Sequence, residues 1–142
     1  VIERFDINTS LLKFELTETM LVEDIDDIIN KMTLLKEIGV QFSLDDFGTG
    51  YSSLQYLDKL PIDQLKIDQS FVHAILNGKN ANSIVQTIIA MGKGFGLDVI
   101  AEGVETAEQQ EALLAYGCEH YQGYLYAKPM PIDELSKLLE CD

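Results

Sequence analysis

The sequence predicts an α/β fold built on a parallel sheet. Two observations predict it. Short apolar runs rich in β-branched or aromatic residues alternate with helical patterns, five times over. Every strand-like run also closes on an ionisable or amide residue, as expected when parallel strands end at one edge. Five such units suit either an open doubly wound sheet or part of an eight-stranded barrel, which normally needs about 250 residues. Residues 1–9 read as the tail of an earlier helix plus a loop, which favours a partial barrel.

The first strand is expected at Lys13–Leu16, beside Leu11 and Leu12. From Asp24 to Ile38, the apolar residues Ile25, Ile28, Ile29, Met32, Leu35 and Ile38 fall on one helical face, and Gly39 caps it. The second strand is Val40–Leu44, followed by two aspartates and then a short helix from Ser52 to Leu57. The third is Ile62–Ile67, after a proline. A helix from Asn80 to Met91 carries Ile84, Val85, Ile88 and Ile89. The glycines of GKGFG, Gly92 to Gly96, read as its C-cap and turn. They precede a strand, the reverse of the order a dinucleotide fingerprint requires. The fourth strand is Leu97–Ala101. A helix from Thr106 to Tyr116 follows, opened by a Thr106–Gln109 capping box and closed by Gly117. The fifth strand is Glu119–Tyr124, and a last helix runs from Ile132 to Leu139 after Pro131.

The 142 residues suit one domain, and an apolar fraction of 46% excludes a disordered chain. A net charge of −14 excludes a nucleic acid polymer as partner, because phosphates would be repelled. An acidic chain that acts on phosphate esters needs divalent metal between the like charges. Cys118 and Cys141 fit no metal-ligand spacing, so a reducing, cytoplasmic setting is expected. No apolar run is long enough to span a bilayer, no signal peptide is visible, and no membrane contact is expected. The first residue, Val1, reads as lying inside a larger chain.

The carboxylates concentrate at the strand ends. Glu15 and Glu18 close the first strand, and Asp45 and Asp46 follow the second. Asp68 follows Lys66 on the third, Glu102 and Glu105 follow the fourth, and Gln122 lies on the fifth. Single positions of this kind often serve only as helix caps or solvated loop residues. Five strand ends in register point instead to an all-oxygen site for magnesium, manganese or calcium. Two such ions clamp the attacking and leaving oxygens of a phosphodiester. Lys66, between Leu65 and Ile67, reads as a buried lysine facing a phosphate oxygen or a hydroxide on the metal. The stretch DDFGTGYSSL, Asp45 to Leu54, reads as a mobile loop able to close over a ligand. Its Asp-Phe-Gly lacks the companion motifs of a protein kinase. His73 reads as a helix-surface residue and His120 as structural; no second well-spaced histidine supports zinc.

Five motifs together resemble the EAL domain family. They are Glu15-Leu-Thr-Glu18-Thr19, Asp45-Asp-Phe-Gly-Thr-Gly50, Lys66-Ile-Asp68-Gln-Ser-Phe-Val72, Glu102-Gly-Val-Glu-Thr106 and Gln122-Gly-Tyr124, with Lys128-Pro-Met-Pro131 as a closing segment. The resemblance covers nearly the whole chain. It implies a (β/α)8 TIM-like barrel of the EAL type, here about the last five βα units, with residues 1–142 forming the C-terminal part of a single EAL domain. It implies a bacterial signalling enzyme that hydrolyses cyclic di-GMP to linear pGpG with two magnesium or manganese ions.

By the same resemblance, Glu15, Asp45, Asp46 and Glu102 are metal ligands, with Glu102 alternatively the base. Lys66 would orient or activate the water. Glu105 and Gln122 would support water and substrate, Glu18 would anchor the loop Phe47-Gly48-Thr49-Gly50, and Asp68 would back up the site. The family's Glu-Ala-Leu segment and a metal-binding asparagine lie further upstream and are not in this sequence. On that ground the two-metal site is expected to be incomplete and the isolated chain catalytically poor. Exposed strand edges predict a homo-oligomer. The alternative reading is a non-catalytic EAL-like module that binds cyclic di-GMP or a protein partner.

Overall fold

The computed structural model describes residues 7–17, 20, 25–48, 57–76 and 79–139. Five strands, β1 (Lys13–Thr17), β2 (Gln41–Phe47), β3 (Gln64–Ile67), β4 (Asp98–Ala101) and β5 (His120–Tyr121), form one parallel sheet in sequential order. The helices are α1 (Ile25–Glu37), α2 (Gln69–Ala74), α3 (Lys79–Gly94), α4 (Ala107–Ala115) and α5 (Ile132–Leu139). A parallel sheet wound in strict order is a continuous arc of a βα barrel, as the sequence predicts.

The core lies where the central strands meet the helices. β3 contributes Leu65 and Ile67, β4 contributes Val99 and Ala101, and α3 contributes Val85, Ile88 and Ile89, all buried. Gly92 lets α3 lie against the sheet, because a Cβ there would stand 2.4 Å from Val99 Cγ2. Thr106 and Gln109 form the expected capping box at the start of α4. Gly39 and Gly117 both take positive φ, 95° and 85°, just past the ends of their helices.

Several boundaries differ from expectation, and two of the differences bear on the site. β2 runs on to Phe47, so Asp45 and Asp46 are strand residues rather than the start of a loop. Asp45 pairs with Thr17 of β1, while the ladder to β3 shifts register between Leu44 and Phe47 and passes both aspartates over. β5 covers only His120 and Tyr121, so Gln122 sits just beyond its end. Helix α2, absent from the periodicity reading, is too short to show a repeat; Asp68 caps it by accepting from the Ser70 N–H at 2.9 Å. Of the helix expected from Ser52 to Leu57, residues 52–56 lie outside the described residues, as do Glu18, Thr49 and Gly50. No helix among the described residues is long and apolar enough to cross a membrane.

Candidate active site

Parallel pairing brings residues on or just past all five strands to one place. Leu65 and Ile67, both with no exposed surface, hold the backbone of β3 in the core and turn the intervening Lys66 to the opposite face. Its side chain is only 5% exposed. The ammonium meets carboxylates from three strands or strand ends: Glu102 at 2.6 Å, Glu15 at 2.8 Å and Asp45 at 3.3 Å. Glu102 also accepts from Gln122 Nε2 at 2.8 Å. Its own N–H is fixed by the Ile67 carbonyl at 3.1 Å, and the Gln122 N–H by Ala101 at 2.9 Å. Five of the residues picked from sequence thus form one connected network.

Asp46 occupies a second position. The register shift in β2 coincides with a positive φ of 56° at Asp46, a left-handed conformation that aspartate tolerates better than most residues. Had β2 continued regularly, Asp45 and Asp46 would face opposite sides of the sheet. The shift breaks that alternation. Asp45 reaches Lys66 and accepts from the Asp46 N–H at 3.0 Å, while the Asp46 carboxyl lies against Asp68.

Electrostatics follow from this crowding. Burial raises the pKa of Glu102, as do Asp45 and Glu15, against the opposing pull of Lys66. Burial, Asp45 and Asp68 together raise that of Asp46. For Lys66, burial favours the neutral amine, but the bonds it donates to Glu102 and Glu15 outweigh this and raise its pKa above the ordinary lysine value. One buried cation therefore offsets several converging anions.

Beyond this cluster lies an open groove of about 610 Å³. Glu102, Glu105 and Gln122 line it, together with Gln69, Gly103 and residues between Gly123 and Leu135. His73 Nε2 stands 3.9 Å from Glu105 on its rim. Lys128 lies 5.3 Å from the centre of the Tyr124 ring. Two glycines make the groove possible. A Cβ at Gly103 would stand 2.6 Å from Gln69 Cβ, and one at Gly123 would stand 2.2 Å from the Val104 carbonyl oxygen. Gln69, Tyr124 and Lys128 were given no site role by sequence, although each stands in or beside a quoted motif. Phe47 is buried at the end of β2, and Gly48 follows with φ 92°. His120 opens β5 and is exposed.

The donor set fits a hard divalent cation, since its charged members are carboxylate oxygens. Among the described residues, no three acidic, histidine or cysteine side chains meet in a way that holds a metal unaided. The carboxylates converge on the Lys66 ammonium instead.

Comparison with known proteins places these residues in context. The family described as EAL domain matches residues 1–129. A cyclic di-GMP phosphodiesterase of Pseudomonas aeruginosa, NbdA, is 44% identical over 138 residues, covering 97% of this chain and 18% of NbdA. The crystal structure of the EAL domain of Mycobacterium smegmatis DcpA superposes with a TM-score of 0.91 at 41% identity, covering 98% of this chain and 62% of that one. Klebsiella pneumoniae BlrP1, solved as a manganese/cy-diGMP complex, gives a TM-score of 0.81 at 31% identity, covering 87% of this chain and 32% of that one. The chain spans about a fifth of the length of the curated relatives it matches.

Proposed function

This chain belongs to the EAL domain family, and on that premise we propose that the protein carrying it is a metal-dependent phosphodiesterase that opens cyclic di-GMP to linear pGpG. Residues 1–142 are read as the C-terminal part of a single EAL domain. The observation that carries the reading is the meeting of Glu15, Asp45 and Glu102 on the buried Lys66, at the mouth of a groove able to hold a small ligand.

Glu15, Asp45, Asp46 and Glu102 would hold magnesium or manganese, as the solved relative with manganese suggests. When bound, the metals would neutralise the phosphodiester and stabilise charge on the attacking and leaving oxygens. The remaining work falls to the chain itself. Lys66 offers its ammonium to a phosphate oxygen. Where Glu102 serves as the base instead of as a metal ligand, its carboxylate takes a proton from the attacking water. The water oxygen bonds to phosphorus, and the P–O bond to the 3′ oxygen breaks, its electron pair leaving on that oxygen, which takes a proton from solvent to give the 3′ hydroxyl. Gln122 holds Glu102 in place, and Glu105 lines the groove where a substrate would lie. Asp68 fixes the start of α2 and bears on Asp46.

The test is turnover of cyclic di-GMP with manganese by the protein carrying this chain. Glu102→Gln should reduce kcat by at least about a hundredfold, the usual worth of a positioned general base. Unchanged turnover in that variant would refute the assignment. Binding without turnover in the wild type would favour the alternative, a non-catalytic module. Self-association also belongs to this reading. Leu11 and Phe14 are exposed beside and on the edge strand β1, and so are Ile132, Leu138 and Leu139 of α5. A cytoplasmic setting suits the free, buried Cys118.

A further inference from the structure

The proposed metals and the Lys66 ammonium require the same oxygens. Glu15, Asp45 and Glu102 each direct a carboxylate oxygen to Nζ within 2.6–3.3 Å. These three come from different elements: β1, β2 and the end of β4. Their packing differs sharply. The Glu15 side chain is 55% exposed, so the core does little to hold it. Its bond to Lys66 fixes it against the other two. A monovalent cation on a long stem thus already gathers the acid cluster.

We propose that Lys66 is a positioning residue that competes with the divalent cation, keeping the carboxylates gathered and yielding their oxygens when the metal enters. This rests on the reading of Glu15, Asp45 and Glu102 as metal ligands. Two physical consequences follow. The backbone of β3 is locked by Leu65 and Ile67, so the lysine yields by moving its four-carbon stem rather than its strand. A positive charge this close to the same oxygens also opposes an arriving cation. Lys66 therefore weakens metal affinity while it organises the site.

The experiment is calorimetric titration of manganese into the protein carrying this chain, without nucleotide. Lys66→Met removes the charge and keeps an apolar stem, and it should bind manganese at least about tenfold more tightly than wild type. Lys66→Arg keeps the charge and should bind no more tightly than wild type. Glu15→Gln removes a ligand and should bind more weakly. Equal or weaker binding by Lys66→Met, with Glu15→Gln still weakened, would overturn the competition and leave the metal assignment standing. Manganese binding unaffected by Glu15→Gln would overturn the metal assignment and the competition with it. Should Lys66→Met fail to fold, the wild type supplies its own test. Magnesium added to nitrogen-15-labelled protein should shift the Lys66 ammonium resonance, and a resonance unmoved at saturation would overturn the proposal.

Discussion

The middle of the sheet and its β1 edge are built to different standards. On β3, Leu65, Lys66 and Ile67 are all buried. On β1, Lys13, Phe14 and Glu15 are exposed, and Phe14 retains 47% of its surface. The helix that closes the described chain, α5, has no buried residue at all. The candidate site straddles this divide. Lys66 and Glu102 are placed by backbone that the core and the β3–β4–β5 ladder hold rigid. Glu15 stands on a strand paired on one side only, to β2, within the described sheet. The comparison teaches that the electrostatic contact to Lys66 is what joins a loosely packed carboxylate to a firmly packed one. A surface carboxylate held only by register would contribute little order to such a site.

The largest effect that would sharpen this contrast is a pair of truncations. Leu65→Ala should cost about 2–5 kcal/mol, because it leaves a cavity in a filled core. Phe14→Ala should cost under about 1 kcal/mol, because its ring is half in water already. Urea unfolding of both variants reads the difference, and equal costs would remove the distinction between centre and edge. Next comes Gly123→Ala. The added Cβ would drive into the Val104 backbone, with which Gln122 O and Leu125 N now bond at 3.1 and 3.0 Å. A loss of about 1–3 kcal/mol is expected, as for other overpacked sites. Thermal melting measures it, and an unchanged Tm would mean that the turn after β5 is not rigid.

The smallest effect is a pH dependence. The folded pKa of Lys66 is raised above its ordinary value of 10.5, so its ion pairs stabilise the fold fully below that pH. Stability is lost as pH rises from 10.5 through the folded pKa. By pH 11 the loss is about 0.8 kcal/mol, the integrated linkage of one proton whose unfolded pKa is 10.5. Lys66→Met should lack this component, so its urea midpoint should fall less than the wild type's between pH 9 and about 11. Glu102 and Asp46 share the direction of this dependence, in a lower pH range. Their raised carboxylate pKa values mean that ionisation opposes folding near neutrality, and their contribution improves as pH falls through the folded values.

Much of the fold was legible along the chain. The apolar spacing of Ile25, Ile28, Ile29 and Met32 located α1, and Thr106 with Gln109 located the start of α4 within a residue. Both signals are local, arising from helical periodicity and from one cap. The position of Asp45 and Asp46 was read less well. Their two charges argue for a loop, yet pairing of Asp45 with Thr17 of β1 and of Phe47 with Ile67 of β3 carries β2 through them. Local propensity loses there to a ladder formed with residues some twenty positions away. The groove was missed for a related reason. Gln69, Tyr124 and Lys128 carry no periodic signal and belong to no run of like charge, and they line or border one surface because α2 starts beneath Gly103.

The sequence by itself determined the kind and order of the elements, the family, and the set of acidic residues at the strand ends, because each is written in local spacing and residue type. Only the tertiary structure decided which of those oxygens meet. The parallel register, the shift in β2 with its positive φ at Asp46, and the burial of Lys66 bring Glu15, Asp45 and Glu102 onto one ammonium. Those contacts join residues up to 87 positions apart in sequence, and no local pattern encodes a distance across a sheet.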